Sequence, residues 1–136
     1  MSHTAIALLG YIGWTTFILL VLGTYRTALT LSGKKAANSF SPAGDDVSPF
    51  SGRLCRAHAN CYEYFPIVGG LLLYALATNQ SDVTNGLALI MLAARVVQSL
   101  IHIVSISVMA VKVRFFFFLV QTGIAIFWMY EFALGS

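Results

Sequence analysis

Charge is what this sequence has least of. Of its 136 residues, 10% are charged and 58% hydrophobic, and the mean hydropathy is +0.80. Soluble domains carry about 25% charged residues. A water-soluble fold of this size has too much surface for so few. The composition therefore points away from a soluble domain and towards a polytopic membrane protein. Basic charge is sparse too: the net charge is +3 and the pI about 9.1, with no basic run and no aromatic-interleaved basic patch. That argues against a nucleic-acid partner. Cysteine is scarce. Cys55 and Cys61 form neither a CxxC pair nor a metal-ligand spacing. On a helix their offset is about 240°, so they face apart and read as free structural thiols. HExxH, a Ser-His-Asp order, a His/Cys ligand cluster and a Gly-rich phosphate cradle are all missing, and no metal site is expected. The first apolar segment has no basic leader and no small-x-small cleavage site, so it reads as a retained span. Internal repeats and low-complexity tracts are absent.

Long apolar runs are what the sequence does have. A span needs roughly 20 mostly apolar residues. Four candidates run about Thr4 to Leu31, Arg56 to Thr78, Val83 to Val111 and Val113 to Leu134. Alternating ten-residue strands are missing, so the expected fold class is an all-α membrane protein, a single domain of four transmembrane helices. Residues 32–55 hold two of the three prolines, three glycines and five serines, a loop by composition. Residues 79–82 read as a tight turn. The third break is expected near 110–114, where Lys112 and Arg114 interrupt the apolar run. Lys34, Lys35, Arg53 and Arg56 flank the first connection and Lys112 and Arg114 the third; the second connection and both tails carry no lysine or arginine. The positive-inside tendency then makes the first and third connections cytoplasmic and puts both termini on the opposite side. Asp45 and Asp46 share the long loop.

The polar residues fall into register. Arg56, Asn60 and Glu63 follow at steps of four and three, and Arg53 lies one turn earlier, so they share one helix face. Arg95, Gln98, His102 and Ser105 repeat the pattern on the third helix, and the first contributes Arg26. A charge at mid-membrane costs roughly 2.5–3.5 kcal/mol, so such groups are expected to face a bundle interior or wet cavity. A structural reading is a salt bridge of Glu63 with Arg95 or Arg26, with His102 a satisfied core histidine and Lys34 and Lys35 as headgroup anchors. A functional reading is a cationic pocket open to the cytoplasmic leaflet. Arginine forks match carboxylates, and Glu63 could meet an ammonium. A zwitterionic ligand with several carboxylates, such as a small peptide, fits better than plain phosphate. A third reading makes Glu63 the coupling carboxylate of a small proton-coupled transporter.

The stretch RLCRAHANCYEYFP, Arg53 to Pro66, resembles the second-helix motif of the MAPEG family, membrane-associated proteins in eicosanoid and glutathione metabolism. The matching positions are Arg53, Arg56, Ala57, Asn60, Glu63, Tyr64 and Pro66. The four-span layout, the Lys-Lys pair of the first loop and the arginine opening the fourth helix extend the resemblance over the chain. It implies a homotrimer with glutathione bound between neighbouring protomers near the cytoplasmic face. It implies glutathione transferase activity on lipophilic electrophiles, with possible peroxidase activity on lipid hydroperoxides or isomerase activity. Carried over by position, Arg56, Asn60, Glu63 and Tyr64 would contact glutathione, together with Lys34, Arg53, His58, Gln98 and His102. Arg114 would stabilise the glutathione sulfur anion as the catalytic residue. Two departures stand out. Ala59 occupies a position where the family can carry arginine. Gln98 and His102 occupy positions where tyrosines are common. A non-catalytic lipid-binding role within the same family is the alternative to an enzyme.

Overall fold

Four helices follow from four sets of start and stop signals. The computed structural model describes residues 1–44 and 47–135, so Asp45 and Asp46 lie outside it. Helix α1 is His3–Leu31. Ser2 caps it, its Oγ accepting from the Ala5 N–H at 3.1 Å. Gly33, at φ +77, ends it in the left-handed conformation that glycine adopts most freely. Helix α2 is Pro49–Ala77. It begins about two turns before the expected 56, so 49–55 is helix rather than loop. The reason is local: Ser48 caps the helix through the Ser51 N–H, and Pro49 opens it, where a missing N–H costs nothing. Pro66 sits inside α2, and the helix continues through it.

The chain reverses over 78–80, with Asn79 at φ +57, into α3, Ser81–Val104. Helix α4 is Val108–Gly135. The third break therefore falls at 105–107, not near 110–114, and Lys112 and Arg114 lie in the first two turns of α4. Lysine and arginine are good helix formers and do not stop a helix. Serine does: Ser105 adopts an extended backbone, and Ser107 Oγ accepts the Ala110 N–H at 3.1 Å as a cap.

Helices α1, α2 and α3 pack pairwise. Helix α4 lies on α3, touches α2 along a shorter line and does not reach α1. Tyr11, Ile18, Leu54, Val68, Leu72, Met91 and Trp128 make the buried core. At the N-terminal end of α1, Thr4 ties α1 to α3 through Thr84 and Asn85 Oδ1. Helices α1, α3 and α4 are long and apolar enough to cross a membrane; α2 carries Arg53, Arg56 and Glu63 in its first half. No strand occurs among the described residues. The antiparallel order gathers the end of α1, the start of α2, the end of α3 and the start of α4 at one end of the bundle. Seven of the eight lysines and arginines cluster towards that end; Arg95 lies deeper.

Candidate functional site

The polar residues of α3 point into the bundle. Arg95, Gln98 and His102 are all buried, as their three- and four-residue spacing requires of one face. Ser105 leaves this seam, because the helix has already ended.

His102 joins three helices. Arg114 Nη1 of α4 lies 2.6 Å from its Nδ1, and Asn60 Nδ2 of α2 lies 2.7 Å from its Nε2. A guanidinium only donates, so Nδ1 accepts, and a neutral ring then carries its proton on Nε2. The contact with α2 becomes a hydrogen bond when the Asn60 amide turns its oxygen towards that proton. Gln98 Nε2 donates to the Arg114 carbonyl at 3.3 Å, and Gln121 Nε2 donates to Gln98 Oε1 at 2.7 Å. Arg114 is thus held by side chain and by backbone. Its Nε is buried without a partner.

Tyr64 lies one turn beyond Asn60 on α2, its hydroxyl 2.9 Å from Thr122 Oγ1 of α4. Its ring lies under the Arg95 guanidinium, 4.8 Å from the ring centroid.

The rest of the predicted set is placed differently. Arg56 and Glu63 are exposed on the outer side of α2, whereas Ala57, Cys61, Tyr64 and Val68 are packed. Arg56 and Glu63 therefore do not face the interior of their own chain, although their stripe had suggested that they would. No salt bridge joins Glu63 to Arg95, whose nitrogens have no hydrogen-bond partner. Arg26 instead donates to the Ser41 carbonyl and to Cys55 Sγ. Arg53 Nε donates to the Ile103 carbonyl at 2.7 Å and so caps the end of α3. His58 is half-buried, its ring set edge-on to Tyr62 at 5.2 Å. Lys34 is exposed just beyond α1, where its backbone N–H closes the helix onto Leu29. Asn60, Tyr64, Gln98, His102 and Arg114 are thus brought together. Arg56 and Glu63 flank them outside, and Lys34, Arg53 and His58 stand apart.

Gln121, Thr122 and Ser99 are site neighbours that the sequence reading passed over. Gln121 and Thr122 were findable, being two adjacent polar residues inside the long apolar run of α4. Two cavities of about 580 Å³ each lie on α1 and share Gly23, Thr27 and Leu31. One is rimmed by Arg26, Asn38 and Phe40; the other is largely apolar. No group of three or more His, Cys, Asp or Glu side chains suited to a metal occurs among the described residues.

A family model, that of the MAPEG family, matches residues 4–134 of the chain. No curated protein and no solved structure matches it.

Proposed function

Since the chain belongs to the MAPEG family and is an integral membrane protein of eicosanoid and glutathione metabolism, we propose that it is a glutathione transferase acting on lipophilic electrophiles. The observation that carries this reading is the Arg114 guanidinium. His102 braces it, Gln98 holds the Arg114 backbone carbonyl, and the guanidinium lies beside a stripe of Arg56, Asn60 and Glu63. The stripe fits glutathione in its chemistry: a guanidinium fork for a carboxylate, an amide for peptide groups and a carboxylate for an ammonium. Glutathione supplies a sulfur nucleophile whose ionised form is the reactive one. Arg114 stabilises negative charge on that sulfur in a low-dielectric setting. A tenfold gain in the ionised form needs only about 1.4 kcal/mol. No side chain of the protein need become covalently attached.

The outward direction of Arg56 and Glu63 calls for a second wall. Leaving an arginine against lipid costs up to about 2.5–3.5 kcal/mol. A neighbouring copy of the chain in a homotrimer supplies that wall. Its Lys34 would reach a peptide carboxylate. Its apolar cavity on α1, lined by Leu19, Leu20, Thr24 and Ala28, would take the tail of an electrophile entering from the lipid. By the positive-inside tendency the cationic end faces the cytoplasm.

The test uses the purified protein in detergent. It should bind glutathione and conjugate a generic aryl halide. Arg114→Ala should abolish conjugation and leave glutathione binding largely intact. Equal loss of binding and activity would count against the role assigned to Arg114. Failure of the native protein to bind glutathione would remove the reading altogether.

A further inference from the structure

Arg95 is the most deeply buried charge among the described residues. It is 1% exposed, and Nε, Nη1 and Nη2 are all without hydrogen-bond partners. Its neighbours are aromatic faces. The guanidinium carbon lies 4.8 Å from the Tyr64 ring centroid and 5.9 Å from that of Tyr11. Ser99 Oγ bonds back to the Arg95 carbonyl and lies 3.1 Å from Cys61 Sγ. Among the described residues the carboxylates are elsewhere: Glu63 and Asp82 are exposed, and Glu131 lies near the other end of the bundle.

A buried guanidinium is ordinarily cancelled by a carboxylate, because an unpaired one is costly to bury. Here only two ring faces offset it, and each such contact contributes about 0.5–2 kcal/mol. The remaining positive charge acts through a low-dielectric interior, where its field reaches further than in water. It therefore favours negative charge on polar groups turned towards it. Tyr64 is the group that connects it to the site. Its ring lies against the guanidinium, while its hydroxyl reaches the α4 side at Thr122, one turn along α2 from Asn60.

We propose that Arg95 is a positioning residue for glutathione chemistry: its uncancelled guanidinium fixes and polarises Tyr64, so that the tyrosine hydroxyl donates to the glutathione sulfur and favours its ionised form. The inference rests on the transferase reading and deepens it. The sulfur proton leaves to water, and the tyrosine keeps its own. The hydroxyl exchanges its Thr122 partner for the sulfur. Other ionisable groups also face this region: Tyr11 from α1, Cys61 and Tyr64 from α2 with Arg56 beyond them, His102 on α3 and Arg114 on α4. The Arg95 effect has to be separated from theirs.

The experiment follows the ultraviolet absorbance of ionised glutathione sulfur against pH, on native protein and on Arg95→Met, Arg95→Lys, Tyr64→Phe and Tyr11→Phe. Glutathione affinity is measured in parallel at equilibrium. Native protein should hold the sulfur ionised at neutral pH. Arg95→Met should move the titration up by about one unit, a tenfold fall in the ratio of ionised to protonated sulfur at a given pH, with little change in affinity for the protonated thiol, measured below the titration. Tyr64→Phe should do the same, the double variant should add no more, and Arg95→Lys should retain most of the effect. Tyr11→Phe should leave the titration in place, since the Tyr11 hydroxyl is committed to the Cys61 carbonyl. An unchanged titration in Arg95→Met, or full additivity with Tyr64→Phe, overturns the proposal while leaving the transferase reading standing. If Arg95→Met does not fold, Arg95→Lys and Tyr64→Phe decide. A native titration in Tyr64→Phe then sinks the proposal. Native protein that binds no glutathione sinks both readings.

Discussion

A guanidinium engaged through one nitrogen keeps its others for a ligand. Arg114 is in that state: Nη1 is tied to His102, and Nε is buried and unsatisfied. His102→Leu should therefore loosen Arg114 without removing it. A lost hydrogen bond to a charged group is worth about 1.5–3 kcal/mol, or roughly a 10- to 100-fold fall in kcat/KM. Steady-state kinetics should show that fall, and glutathione affinity should change much less. At this scale the sequence was informative about membership and poor about partners. The spacing of Arg95, Gln98 and His102 put them on one face, and all three are buried. The same reasoning put Arg56, Asn60 and Glu63 on one stripe, of which Asn60 meets His102 within the chain while Arg56 and Glu63 are exposed. Glu63 as the partner of Arg95 was the economical guess from charge alone. It failed because Tyr64, not Glu63, occupies the α2 position turned towards α3.

Helix ends depend on short-range chemistry that hydropathy does not record. The break between α3 and α4 rests on Ser105 and Ser107, although Lys112 and Arg114 are the more conspicuous interruption. Removing the Ser107 cap by Ser107→Ala should cost about 1 kcal/mol, read as a lower thermal midpoint in detergent. The loop before α2 depends on a different device. Gly44 holds φ +73, and a Cβ there would stand 2.6 Å from Cys55 Sγ and 2.8 Å from the Ser51 carbonyl. Gly44→Ala should cost about 1–2 kcal/mol from backbone conformation alone, and more from the collision with α2. Thermal unfolding should show a larger loss than for Gly33→Ala, where the space around the glycine is open. The early start of α2 at Pro49 was legible in the Ser-Pro pair, yet the surrounding serines and glycines made the segment read as loop.

The whole molecule is polarised. The end that joins α1 to α2 and α3 to α4 carries Lys34, Lys35, Arg53, Arg56, Lys112 and Arg114, while Asp82 and Glu131 lie towards the other. An exposed charged stripe on one helix of such a bundle is satisfied by another copy of the chain better than by lipid. Under the proposed homotrimeric reading, chemical cross-linking in native membranes should trap a trimer. Arg56→Glu should weaken glutathione binding at least about tenfold, because one repulsive contact replaces an attractive one at a bidentate site worth roughly 1.5–3 kcal/mol. A monomer that binds glutathione with full affinity would refute the first expectation, and native affinity in Arg56→Glu the second.

The sequence by itself determined that the chain is helical, that it crosses a membrane and that its cations gather at one end. Hydrocarbon leaves the backbone only its own helix or a closed barrel, the alternating strands of a barrel are missing, and the distribution of lysine and arginine is fixed residue by residue. Only the tertiary structure decided which polar side chains meet: Asn60, His102 and Arg114 in one cluster, Arg95 against tyrosine faces, Arg56 and Glu63 outside. The helical period sets the angle between residues on one helix. It says nothing of how far that helix is turned about its own axis towards its neighbours, and packing alone sets that rotation.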